Sequence, residues 1–358
     1  MKILYIGMRH DYGDPQRDDC YEYLNFVDTL RHMNDVRLTE FYFDLRLRSL
    51  GRRDMNRELL QRVQEVQPDL CFFVLFTDEI AAETISAIRG ESRVLTVNWF
   101  GDDHWRFLPF SRRWAPLFDW VVTTDSASVK KYHDIGCHRI IKSQWGFNHR
   151  RIQPREAAEE YDCTFVGQGY ARRQRLIREL AASGIEVQCW GRGWSNGRLS
   201  FGDMMMMTAR SRINLNFTDS SVVAGWKRLG KTLINRRADD SLQINSLGVI
   251  GDFARVISTH PPPQIKGRNF EVPGAGGFLL TAPADNLGEY FIPGKEIVVF
   301  DSLDDLAAKA RYYLDHPAER LAIRRAGCER AHRDHTYERR LRDVLAAIGA
   351  AREGRALD

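Results

Sequence analysis

Lys266, Arg268 and Glu271 place two cations and one carboxylate within six positions of this 358-residue chain. The small-residue run Gly274, Ala275, Gly276, Gly277 follows, and then an apolar strand that ends at Thr281. Ammonium and guanidinium groups suit the oxygens of a diphosphate. A carboxylate accepts from a vicinal diol such as that of a ribose, and glycines let backbone approach a phosphate closely. Residues 264–281 therefore predict a site for a charged, hydroxylated ligand, although a glycine-rich turn between helix and strand is also ordinary turn chemistry.

Three other stretches carry residues of the same kinds. Asp102, Asp103 and His104 follow an apolar run ending at Trp99; two carboxylates and an imidazole there could supply a general base or orient a hydroxyl. Asp102 is equally a helix N-cap residue, with Trp105 packed beneath. Gly167, Gln168 and Gly169 lead to Arg172 and Arg173 in the first turn of a helix, where an anion is favoured, although exposed arginine pairs are common. Trp190 and Gly191 close a further strand. The basic residues Lys227, Arg228, Lys231, Arg236 and Arg237 belong either to a solvated face or to a loop that meets phosphates. Met204 to Met207 read as core with one methionine partly exposed, since four consecutive residues cannot share one helix face.

These stretches need strand ends to position them. The β-rich runs at 2–7, 36–43, 70–76, 94–99 and 120–124 alternate with amphipathic segments such as Asn56 to Val66, and Cys20, Tyr23, Leu24, Val27 and Leu30 repeat on one helical face. Such alternation predicts a parallel sheet covered by helices, with ligands at the carboxyl ends of its strands. The pattern restarts at 162–166, 186–190 and 212–217. Ser302 with Asp305 resembles a capping box, and Pro317 starts a helix. The expected division is a first domain over residues 1–150, an exposed linker over 151–161, a second domain over 162–335 and a terminal helix, 336–358, that packs back on the first domain.

The segment Lys266-Gly-Arg-x-Phe-Glu-Val-Pro-x-x-Gly-Gly-Phe-Leu-Leu-Thr281 resembles the donor-site signature of the CgeB-like glycosyltransferases, which are group-1 glycosyltransferases of GT-B fold. The Asp102-to-Phe107 loop, the Gly167 turn, Trp190-Gly191-Arg192-Gly193-Trp194 and Arg212 to Phe217 are similar to that group as well. The resemblance implies an α/β protein with two Rossmann-like domains facing across a cleft. It implies a nucleotide-diphosphate sugar donor (a UDP-, GDP- or dTDP-sugar), with Gly167, Arg172, Arg173, Trp190, Gly191, Lys266, Arg268, Glu271, Gly276 and Gly277 around it. Arg268 would neutralise the leaving diphosphate without a metal, Glu271 would hold the ribose, Trp190 would lie near the base, and Asp102, Asp103 or His104 would serve the acceptor hydroxyl. Many retaining GT-B enzymes carry two glutamates eight positions apart; Glu271 matches the second, but Pro263 stands at the first.

Composition limits the alternatives. There are 52 Lys and Arg against 48 Asp and Glu, and the net charge of +4 is too small to argue for a polyanionic partner; no nucleic-acid module is visible. The six cysteines form no Cys-x-x-Cys pair, which argues against zinc. No apolar run approaches the ~18 residues of a membrane span, so the expected location is the cytoplasm, with any membrane contact peripheral, at the inner face. The function expected is transfer of a sugar to a hydroxyl of a glycan, glycolipid or protein, as in the decoration of bacterial surface polysaccharide. A sugar-nucleotide epimerase and a non-catalytic nucleotide- or glycan-binding scaffold are the alternatives.

Overall fold

The computed structural model describes residues 1–91, 93–219, 234–259 and 261–355. The chain divides into two compact units, Met1–Gln144 with Val222–Pro261 and Arg340–Asp358, and Trp145–Ser221 with Pro262–Arg339.

The first unit is built on six strands, β1 (Lys2–Gly7), β2 (Arg37–Tyr42), β3 (Leu70–Phe73), β4 (Leu95–Phe100), β5 (Trp120–Thr123) and β6 (Ile140–Lys142). They pair in parallel in the order β2-β1-β3-β4-β5-β6. Ile3, Leu4, Tyr5 and Ile6 are all fully buried, as are Cys71, Phe72 and Phe73. That is why these strands read as continuous apolar runs and do not alternate: helices cover both faces of a parallel sheet. The order reverses at β1, and loops after strands on either side of such a switch open toward the carboxyl ends.

The second unit repeats the plan with β7 (Tyr161–Val166), β8 (Val187–Trp190), β9 (Ser211–Asn216) and, after the hairpin β10 (Ile234–Arg236) and β11 (Leu242–Ile244), β12 (Leu279–Thr281) and β13 (Val298–Val299). Its five strands run parallel in the order β13-β12-β9-β7-β8, which reverses at β7. Ser200 and Ser302 cap the helices Phe201–Ala209 and Leu303–Asp315 by accepting from the N–H of Asp203 and Asp305, both at 3.1 Å. Asp305 returns the bond to the N–H of Asp301, one residue before the cap. Met204, Met205 and Met207 are buried and Met206 is half-buried, as the run of four suggests.

The units differ from the expected division in two places. Residues 151–161 are largely exposed, as expected, but they do not separate the units: they belong to the second. Ile152 is fully buried, and the Glu159 carboxylate gathers Arg320 at 2.9 Å, Arg212 at 3.5 Å and Arg324 at 3.6 Å. Segment 222–261, expected within the second domain, instead groups with the first unit. Its helix Leu247–Thr259 docks on the stretch that follows β4, where Asp252 accepts from Arg112 (2.7 and 2.9 Å) and from Arg113 (2.5 Å) and Phe253 lies against Trp105. Arg237 is consumed in a bidentate pair with Asp78 at 2.7 and 3.0 Å. Lys227, Arg228 and Lys231 lie outside the described residues.

Asp252 is 5% exposed, so its removal leaves two guanidinium groups without their shared acceptor. In Asp252→Ala, amide exchange over 247–259 is expected to quicken about tenfold, with the strands of the first sheet unaffected. Unchanged exchange would show that apolar contact alone docks this helix.

Candidate functional site

The donor signature lies at the carboxyl ends of β7, β9 and β12, beside the reversal of strand order. Arg268 opens the helix Arg268–Gly274, and its guanidinium reaches across to the end of β7, with Nε 3.4 Å from the Val166 carbonyl. The same side chain donates through Nη1 to the Glu271 carboxylate, one helical turn on. Glu271 is 2% exposed, and the Arg268 side chain keeps 28% of its surface. A guanidinium has five N–H donors, and these contacts occupy two. A buried carboxylate thus fixes the orientation of a partly exposed cation.

Asn269, which sequence reasoning passed over as a variable position, holds this arrangement to the sheet. Its Oδ1 accepts from the Lys266 N–H at 2.9 Å and from Asn216 Nδ2 at 3.1 Å. Its Nδ2 donates to Thr281 Oγ1 at 3.2 Å, which also receives Asn216 Nδ2 at 3.1 Å. All three side chains are buried, so the triangle joins Lys266 and Arg268 to the ends of β9 and β12. A lone Asn inside an otherwise basic and glycine-rich motif was the available signal.

The glycines do different work from that expected. Gly276 (φ +74°) and Gly277 stop the Arg268–Gly274 helix: their N–H groups donate to Pro273 and Val272, each at 2.8 Å, in the pattern of a Schellman cap. Both are buried, and a Cβ on Gly277 would lie 2.6 Å from the Thr208 methyl. Their backbone is used internally and does not offer a donor surface. Gly167 and Gly191 are packing glycines of the same kind. The Gly167 N–H donates to the Trp190 carbonyl and the Gly169 N–H to the Arg192 carbonyl, each at 2.8 Å, which extends the β7–β8 ladder through both turns. Gly191 has φ +127°, and a Cβ there would meet the Gly167 carbonyl oxygen at 2.2 Å.

Trp190 is likewise corrected: it is 8% exposed and packs edge-on against Tyr161, so its ring is core and presents no stacking face for a base. Arg172 is exposed. Arg173 is 9% exposed and committed to protein acceptors, the Asp219 carboxylate at 3.2 and 3.3 Å, the Phe217 carbonyl at 2.9 Å and the Gln168 carbonyl at 3.3 Å. An arginine so engaged is not available to a diphosphate.

In the first unit, Asp102, Asp103 and His104 follow β4 as expected but divide in role. Asp103 is 1% exposed and accepts from Thr123 Oγ1 at 2.6 Å and Tyr132 OH at 2.8 Å. Burial pushes its carboxyl up to about 6, and bonds from Ser111, Thr123 and Tyr132 oppose the shift. It is an internal anchor and does not face an acceptor. Asp102 sits at the N-cap of the short helix Asp103–Arg106 without a side-chain cap bond and stays half-buried, as does His104. Two residues not selected from the sequence share the field of Asp102. The Glu22 carboxyl is raised by burial and then by Asp102, and the Arg106 guanidinium is lowered by burial while Asp102 and Glu79 oppose that. Arg106 lies one helical turn after Asp102; Glu22, eighty positions away, gave no local signal.

Known proteins resemble this chain in sequence and in fold. A family model described as "Glycosyl transferase-like" matches residues 172–346, which contain the helix Arg268–Gly274 and its buried glutamate. The chain is similar to the CgeB-like group-1 glycosyltransferases. The spore protein CgeB of Bacillus subtilis (strain 168) is 18% identical to this glycosyltransferase over 327 residues, 89% of this chain and 90% of CgeB. The fold is GT-B. The Anabaena protein HepE, solved in complex with UDP-glucose, superposes with a TM-score of 0.62 at 12% identity, covering 98% of this chain and 100% of HepE. Sucrose-phosphate synthase from Thermosynechococcus elongatus superposes with a TM-score of 0.59 at 10% identity, covering 99% and 98%.

Asp103 gives the glycosyltransferase a testable pH dependence. A carboxyl whose folded pKa lies above its unfolded value of about 3.9 contributes stability that is fully present below that value and is lost as pH rises through about 6. The unfolding free energy of wild type minus that of Asp103→Asn is therefore expected to fall by about 3 kcal/mol between pH 3.5 and pH 7. Denaturant titrations at the two pH values measure it, and a difference that does not change with pH would remove Asp103 as a buried acid.

Proposed function

We propose that this glycosyltransferase takes its sugar from a nucleoside-diphosphate donor whose diphosphate meets Arg268 at the end of β7. The observation that carries the reading is the Arg268 side chain itself, oriented by a buried Glu271, anchored at the Val166 carbonyl and still presenting unspent donors at the reversal of strand order. When the bond between sugar and diphosphate breaks, negative charge grows on the leaving oxygen. A cation already fixed in place stabilises that charge without reorganising. Glu271 is then the residue that aims Arg268, and a ribose hydroxyl could share its second oxygen. HepE, which has the same fold, binds UDP-glucose, and that supports a uridine-diphosphate sugar as the donor to try before those of GDP and dTDP. Lys266, held beside Arg268 through Asn269, adds a second positive charge to the same strand end.

On the acceptor side we assign Asp102, with Glu22 as the carboxyl that shares its field. Two neighbouring carboxylates, one of them raised by burial, suit the capture of a proton from a hydroxyl. The acceptor class that goes with such a pair is a sugar hydroxyl of a glycan or glycolipid.

Calorimetric titration with UDP, GDP and dTDP tests the donor side. Wild type is expected to bind one of the three selectively, and Arg268→Ala to weaken that binding by about tenfold or more, since hydrogen bonds to charged groups are worth roughly 1.5–3 kcal/mol. Sugar transfer in the same variant should fall by ~100-fold or more. Binding of none of the nucleotides would overturn the reading in favour of a non-catalytic scaffold. Asp102→Ala is expected to lower transfer with nucleotide affinity unaltered; a weakened affinity would move Asp102 off the acceptor side.

A further inference from the structure

The turn after β7 is gripped from a second direction that the donor reading does not use. Asp219 stands three residues beyond the end of β9, and both of its carboxylate oxygens are engaged. Oδ1 accepts from Arg173 Nε at 3.3 Å and Nη2 at 3.2 Å, and Oδ2 accepts from the Tyr170 hydroxyl. The Arg173 guanidinium lies over the Tyr170 ring, 4.5 Å from its centre, and over Phe165 at 5.3 Å. Side-chain exposure is 11% for Arg173 and 15% for Asp219, so this is a desolvated ion pair with stacked aromatic walls.

We propose that Asp219 is a positioning residue for the donor: through Arg173 and Tyr170 it fixes the Gly167–Tyr170 turn, and with it the backbone on which Arg268 is aimed. The inference rests on the reading of Arg268 as the diphosphate ligand.

The geometry that points to it is the placing of two arginines on one short stretch of main chain. Arg268 Nε lies on the Val166 carbonyl, and Arg173 Nη1 lies on the Gln168 carbonyl, two residues later. Gly167 and Gly169 flank Gln168, and glycines leave a turn conformationally soft unless something outside it holds it. On one side the turn is laced to Trp190 and Arg192. On the other, Arg173 ties the Gln168 carbonyl to the Phe217 carbonyl and to Asp219, so the turn follows the end of β9. Arg173 cannot do this alone: a guanidinium held by carbonyls only, in a site this dry, lacks the countercharge that Asp219 supplies. Burial, with Asp219 as acceptor, also pushes the Tyr170 phenol up, so it remains a proton donor to the carboxylate. Loosening Asp219 would thus be felt at the Val166 carbonyl, with no contact between Asp219 and the donor required.

A double-mutant cycle read by calorimetry tests this. UDP, GDP and dTDP are titrated into wild type, Asp219→Ala, Arg268→Ala and the double variant, with thermal melting to show that each is folded. Asp219→Ala is expected to weaken the bound nucleotide by about tenfold. The further loss on adding Arg268→Ala should be clearly smaller than the loss that Arg268→Ala causes in wild type, because the aim of Arg268 is already gone. Asp219→Glu should recover part of the affinity. A merely structural Asp219 would lower the melting temperature and leave the two effects additive, which overturns the proposal. Should Asp219→Ala fail to fold, Tyr170→Phe and Arg173→Lys take its place in the same cycle, and additive effects there overturn it equally. Wild type binding none of the nucleotides would remove the donor reading and this inference together, whereas binding with additive losses removes this inference alone.

Discussion

At the end of β7 two main chains pass each other with no room for a side chain between them. The Gly167 carbonyl lies where a Cβ on Gly191 would be, and the Gly169 carbonyl where one on Gly193 would be. Gly191 and Gly193, both at positive φ, are therefore a steric requirement of that crossing. Because the turns can approach this closely, their peptide groups go on pairing past the strand ends, and Trp194 Nε1 adds a bond to the Gly167 carbonyl at 2.9 Å. The Val166 carbonyl, the residue before the crossing, is left as a fixed acceptor at the edge of the sheet. Arg268 uses it. The orientation of the site's central cation thus depends on the packing of uncharged backbone as well as on Glu271.

Much of the fold was legible because parallel sheets write themselves as buried apolar runs, and the strands β1, β3, β4, β5, β7, β8 and β9 fall where those runs fall. The pairing of Arg268 with Glu271 was within reach too, since the two stand one helical turn apart. What misled the reading was the double meaning of glycine and arginine. Gly276 and Gly277 stand in a site motif but serve as a helix stop, and Arg173 stands in a helix's first turn but turns inward to Asp219, 46 positions away. Trp190 was placed near the base and is core. The roles of Arg173 and Trp190 have no local signature, because each depends on a partner brought close by the sheet. The allocation of segment 222–261 was illegible for the same reason: the pairing of Asp252 with Arg112 and Arg113 spans about 140 positions.

Both units place their charged residues by the same means, a buried acid that fixes a neighbour. Asp103 draws Thr123 and Tyr132 together beneath the loop that carries Asp102, and Glu271 aims Arg268. In each case the buried member faces the protein and its partner or neighbour keeps surface. Burying one charge to orient another is costly unless hydrogen bonds accompany it, and both acids receive them. The result is that the residues a sequence comparison would select as a pair are not equivalent: Asp102 and Asp103, or Arg172 and Arg173, are each one outward and one inward residue.

The chain passes between its two units four times, at 144–145, 221–222, 261–262 and 339–340. That bears on the order in which the protein can be made. A ribosome delivers the strands of the first sheet before those of the second, yet the helix that docks on Arg112 and Arg113 emerges only after β9, and residues 340–355 only after the second unit. The first unit therefore remains incomplete until nearly the whole second unit has been synthesised, and its late contacts close very long loops. The two units must mature together, and a cut at residue 144 or at 161 would separate each from a piece it needs.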